Sequence, residues 1–171
     1  MNSNQNIERM RTNPNYKENF IKGVYNTLYY NEVLDMVDAL EPHERVDAMR
    51  NNASIGLMTV LFYVYDKEQI HFDLKPEDIA KIDHRPSIDH SADPDMAERT
   101  LKSQYTSLKV LVGPQKRKTK IKFLSGWFET MPAGEVEILK LMFNRTLEDK
   151  YPWMTEDFVR QCYPNLLTKK S

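Results

Sequence analysis

The densest chemistry in this sequence is a run of cations, Lys116, Arg117, Lys118, Lys120 and Lys122, at the head of an apolar series formed by Ile121, Leu124, Phe128 and Met131. That series recurs at three- and four-residue steps, the period of a helix burying one face, and Phe123 and Trp127 widen it. A helix start already carries roughly half a positive charge from its aligned peptide dipoles, so a cation there is unfavourable by roughly a few tenths of a kcal/mol. Acids would serve stability better, and Asp95 and Glu156 stand at two other predicted helix starts. Cations beside free helical N–H groups describe an anion site, and phosphate is the anion that fits. The competing reading is a solvated charge run that serves solubility. Lys102 and Lys109, on the preceding predicted helix, extend the same surface.

Other residues of chemical type are scattered. Ile82-Asp83-His84 is echoed by Ile88-Asp89-His90, with Asp93 and Asp95 close behind. Histidine and carboxylate suit divalent ions, but adjacent ligand types in an irregular loop define no coordination geometry, so neither a metal nor another cofactor is expected. His43 lies on a charged helix start with no evident partner. There is no glycine-rich phosphate loop, no Cys-x-x-Cys pair and no His-Glu-x-x-His. Ser87 and Ser125 lack a nucleophile elbow. Cys162, the one cysteine, falls on the apolar side of a helix, where a buried structural thiol is expected. These absences favour a protein without catalytic residues.

The elements that must position the cations are helical. Residues 25–40, 42–49, 54–66, 93–112, 115–131 and 133–150 each carry an apolar stripe at helical spacing, and 155–162 adds a shorter one. Ser54 suits an N-cap, as do Asp93 before Pro94 and Thr155 before Glu156. Gly113-Pro114 predicts a left-handed cap and stop, and Tyr151-Pro152 a stop for the helix opening at Pro132. The helix at 54–66 has almost no polar face, so it belongs in the middle of a core. Ile70, Phe72 and Leu74 alternate with polar residues and predict a short extended arm. Residues 76–93 lose periodicity and read as a long polar loop. The fold class is therefore all-α: a single-domain bundle of six or seven helices. A flexible arm (1–22) precedes the domain (23–167), and a tail (168–171) follows.

At 171 residues with 40% hydrophobic side chains the chain can bury one sizeable core. A net charge of −1 excludes strong whole-molecule attraction to nucleic acid, so such binding must come from a local patch. No apolar run approaches the roughly 20 residues of a membrane span, and the amino terminus has no apolar signal core. A cytoplasmic protein without a membrane partner is the expectation.

The segment EILKLMFNRTLEDKYPWMTEDFVRQCYPNLL resembles the close of the amino-terminal, all-helical DNA-binding domain of ATP-dependent DNA ligases from T-even-type phages. Asn144-Arg145-Thr146-Leu147 and Tyr163-Pro164-Asn165-Leu166 occupy the places of its Arg-Asp-Leu-like step and its aromatic-Pro-Gly-Leu ending. The order of helices from residue 25 to 167 is similar as well, and so is that of short helical proteins of marine tailed phages. The resemblance implies a phage protein working in the host bacterial cytoplasm. The ligase Lys-x-Asp-Gly motif is absent, so no lysine adenylate and no nick sealing are expected. Asn165 stands where the family has glycine and is a weaker candidate for backbone contact with DNA. The expected function is a non-catalytic, sequence-independent DNA-binding accessory protein of replication, repair or transcription, held to the DNA backbone by the five cations. The alternative is a protein-interaction module on the same scaffold, whose partner is a replisome, transcription or host protein.

Overall fold

A computed structural model describes residues 7, 8, 10–82 and 99–170. Its helices run in the order α1 (Tyr16–Ile21), α2 (Tyr30–Asp38), a 3₁₀ turn (Pro42–Glu44), α3 (Arg45–Asn51), α4 (Ile55–Tyr65) and α5 (Pro76–Ala80). After them come α6 (Leu101–Gln104), a 3₁₀ helix (Tyr105–Val112), α7 (Arg117–Thr130), α8 (Ala133–Asn144), α9 (Leu147–Lys150) and α10 (Glu156–Cys162). There is no strand among the described residues, and the all-α bundle expected from periodicity is what forms.

Helix α8 is the axis. Helices α2, α4, α5, α7 and α9 all pack against it, because Val136, Ile138, Leu139 and Met142 leave it apolar on most sides. Its neighbour α4 is as apolar as its sequence implies, burying Leu57, Val60, Leu61 and Val64, and Ser54 caps it by accepting from the Leu57 N–H at 3.2 Å. Close approach of α2 to α8 depends on Gly134, where a Cβ would lie 2.2 Å from Asn31 Nδ2. The core extends through Trp127, Phe128 and Tyr151 to Leu167.

Several boundaries differ from the sequence reading. The expected flexible arm is packed over its second half: α1 buries Phe20, and the side chains of Asn52 and Asn51 donate to the Phe20 and Ile21 carbonyls at 2.8 Å each. Gly23 turns the chain out of α1 at φ +76°, with Asn51 O only 2.1 Å from where a Cβ would stand. The first long helix begins at Tyr30 rather than residue 25. The loop expected at 76–93 opens with α5, Pro76 occupying the first helical position; residues 83–93 lie outside those described. The helix expected over 93–112 is, where described, one α-turn followed by eight residues of 3₁₀ helix, which bury Leu108 and Leu111 at a period near three. Gly113 ends it in extended backbone, φ −85° and ψ −173°, without the expected left-handed cap.

The helix expected to run on to Lys150 breaks at Arg145. There Thr146 N–H bonds Leu141 O at 3.0 Å and Arg145 N–H bonds Met142 O at 3.1 Å. That pair is a Schellman cap, a motif that ordinarily puts glycine at its left-handed position. Here the position is Arg145, φ 53°, the one non-glycine residue with positive φ among those described.

Candidate functional site

The cation run forms the beginning of α7. Lys116 is the N-cap, its side chain makes no capping hydrogen bond, and the first turn contains no acid. The five cations, however, do not share one face. Lys120, Leu124, Trp127 and Phe128 are related by helical steps of four, three and one, so Lys120 enters the core side and is 2% exposed. Its ammonium is met by Asp73 Oδ1 at 2.8 Å. Arg117 pairs with Asp78 of α5. The Lys75 N–H and the Arg117 guanidinium together hold the Asp78 carboxyl below the usual carboxylate range. The 73–78 segment thus neutralises two of the five cations, an arrangement that ties α5 to α7.

Lys116, Lys118 and Lys122 remain exposed and have no ion pair among the described residues. Lys118 and Lys122 stand one helical turn apart on the outward face, where like charges repel. Of the supporting residues, Lys109 is exposed on the 3₁₀ helix, while Lys102 donates from Nζ to the Asn26 carbonyl and is tied down. Asn165 is exposed beside Pro164 and Leu166, next to Met58 rather than α7, and its backbone is not left-handed. The histidine-carboxylate repeat at 82–90 lies beyond the described residues from position 83 onward.

The remaining candidates are structural. Cys162 is buried, and that burial pushes its thiol up to about 11, which removes thiolate character at neutral pH. Its carbonyl accepts from Arg50 Nε at 3.0 Å. Glu135, in the first turn of α8, is fully buried, and its Oε2 accepts from the Leu101 N–H at 3.2 Å, joining α8 to α6.

Sequence reasoning missed the two acids that face the cations. The signal was present in part: Lys120 stands four and seven residues before Leu124 and Trp127, so helical geometry alone puts it inward. Nothing in the spacing pointed to Asp73 as the partner of Lys120 or to Asp78 as the partner of Arg117, because those contacts cross 47 and 39 residues.

An all-α bundle with a three-lysine helix start is as far as the architecture defines the class. No family model, no curated protein and no solved structure matches the chain.

Proposed function

We propose that the protein is a non-catalytic binding module that docks on the phosphate backbone of nucleic acid through the start of α7. The observation that carries this reading is the trio Lys116, Lys118 and Lys122, left exposed and unpaired among the described residues at a 14-residue helix with no acid in its first turn. Two cations nearby have acidic partners within the fold; these three have none among the described residues. The likeness of residues 137–167 to a ligase DNA-binding domain supports the same reading. Contacts of this kind position a duplex without reading its sequence.

Three phosphate contacts give a salt slope of about −2.7, so raising salt from about 50 to about 200 mM weakens binding about 40-fold. Retardation of a short duplex at several salt concentrations measures this directly. Replacing Lys116, Lys118 and Lys122 together with glutamate abolishes retention and leaves the melting temperature unchanged or higher. A triple variant that still retards duplex DNA overturns the assignment.

A second reading, docking to a protein, is favoured by one feature. Val24 and Ile55, 59% and 71% exposed, flank a recess of about 140 Å³ lined by Tyr25, Leu28, Tyr30, Ser54 and Lys102. An apolar contact there weakens little over the same salt range, so the salt slope separates the two.

A further inference from the structure

Away from α7, residues 67–74 pass the carboxyl end of α8 and border an open surface depression of about 320 Å³, lined by Lys67, His71, Phe72, Leu74, Phe143 and Arg145. Three of these six side chains are basic or can become so, and none is acidic. That imbalance is unusual on a molecule with net charge −1. Asp66, adjacent to Lys67 in sequence, lies close enough for its charge to act on Arg145, but its oxygens are taken by other donors. Asp66 accepts from the Thr168 N–H and hydroxyl at 2.7 Å each and from the Gln69 N–H at 3.0 Å. Asp73 holds Lys120. Glu68 turns to a separate recess with Glu156 and Lys170.

Arg145 is the fixed element of this depression. Its guanidinium donates to the Val64 carbonyl at 3.1 Å and to the Ile70 carbonyl, and it lies 5.2 Å over the Phe72 ring. Phe72 in turn packs on Phe143 with ring centroids 4.8 Å apart. These direct partners are neutral; the Asp66 carboxylate acts on the guanidinium through space, against the effect of burial, without forming an ion pair with it among the described residues. Two of its five N–H groups are used, leaving three. A half-buried, oriented guanidinium with neutral partners keeps a full charge in a site that has lost part of its hydration. The chain also holds this residue in the left-handed backbone that glycine would adopt without strain. A helix stop alone would be met better by glycine; the bonds to Val64 and Ile70 favour arginine here and also fix the direction of its head group.

We propose that this depression binds a phosphate group, with Arg145 as the oriented fork, Lys67 as the exposed cation and His71 as an exposed hydrogen-bonding ring beside it. The planar fork matches phosphate oxygens, and the flanking ammonium adds charge without needing a fixed geometry. The depression is open to solvent, so the phosphate can be carried on a larger molecule: a free nucleotide, or a nucleic-acid strand. This site shares no residue with the start of α7, and its success or failure is independent of the docking proposed there.

Titration of the full chain with pyrophosphate, adenosine monophosphate and a short DNA duplex, followed by calorimetry, tests it. The variants are Lys67→Glu, which alters only an exposed side chain, and Arg145→Lys, which keeps the charge and removes the fork. Saturable binding of a small phosphate that falls by about tenfold or more in both variants, and persists in the Lys116, Lys118 and Lys122 triple variant, assigns the depression to a small ligand. Saturable binding of duplex alone, reduced by Lys67→Glu and still present in the triple variant, assigns it to a strand. No saturable binding of any of the three, or binding that Lys67→Glu leaves intact, overturns the proposal. Thermal melts of Lys67→Glu, expected to match the parent, separate loss of the site from loss of the fold.

Discussion

Lys120 lies at the boundary between folding and binding. Its buried ammonium is met at 2.8 Å by Asp73, which is itself about half exposed. Removing one partner of such a pair is worse than removing both, since the survivor loses its solvation without compensation. Asp73→Ala should therefore destabilise the fold by about 2 kcal/mol. Lys120→Met, which fills the same space with apolar atoms, should leave stability within about 1 kcal/mol of the parent. Because Lys120 offers nothing to solvent, Lys120→Met should also retard duplex DNA as the parent does. Chemical denaturation and gel retardation on the same samples check both halves. Loss of retention in Lys120→Met would mean that the buried lysine swings out to reach the ligand. Arg145 stands in the same tension from the other side, since its backbone would relax as glycine while its head group holds Val64, Ile70 and the Phe72 ring.

Helices α7 and α10 begin in opposite ways. At α10 the Thr155 hydroxyl accepts from the Phe158 N–H at 3.1 Å, and Glu156 and Asp157 sit in the first turn. Everything there favours the helix, and Thr155→Ala should lose about 1 kcal/mol, lowering the melting temperature by about 2–4 °C. At α7 the cap is Lys116 and the first turn is basic. Lys118→Glu should gain up to about 1 kcal/mol from the dipole and raise the melting temperature by about 1–3 °C while weakening nucleic-acid retention. A fall in melting temperature would show Lys118 to be a structural residue. The same contrast explains what could be read from the sequence. Ser54, Thr155 and the stripes of α4 and α8 were legible because caps and helical periodicity are local. The Arg145 break was not, because arginine is a poor left-handed residue and only the tertiary bonds to Val64 and Ile70 account for it. The 3₁₀ helix at Tyr105–Val112 was hidden too, since Tyr105, Leu108 and Val112 follow the 3.6 period, whereas the fold buries Leu108 and Leu111, three apart. At α7 the cations were legible one by one, while their division into paired and free depended on Asp73 and Asp78 arriving from another element.

At the scale of the whole molecule, side-chain hydrogen bonds fasten the carboxyl-terminal third onto the amino-terminal half. Tyr151 Oη donates to Asp35 at 2.6 Å, Trp153 Nε1 to Asp38 at 2.6 Å, and Tyr163 Oη to the Met49 carbonyl at 2.7 Å. Asp66 closes the last of these joints, at Thr168. Burial works to raise its pKa, but the Thr168 hydroxyl, the Thr168 N–H and the Gln69 N–H outweigh it, and the carboxyl titrates below its ordinary value of 3.8. Glu156 and Glu44 are lowered as well, first by hydrogen bonds from Arg160 and Lys17 respectively. A carboxylate depressed in the folded state contributes stability that is complete above its unfolded pKa and is lost as pH falls through the folded value. The molecule should accordingly keep its melting temperature from neutral pH down to about 5 and lose it steeply below about 4. Asp66→Asn removes one source of that dependence. It should melt below the parent at pH 7 and approach the parent as the pH drops under about 4, where the parent's own carboxylate is becoming protonated. Melting curves of the two proteins from pH 7 to 2.5 decide the point: a difference that stays constant across the range would mean that Asp66 acts by packing alone, and that the anchoring of residue 168 depends on no charge.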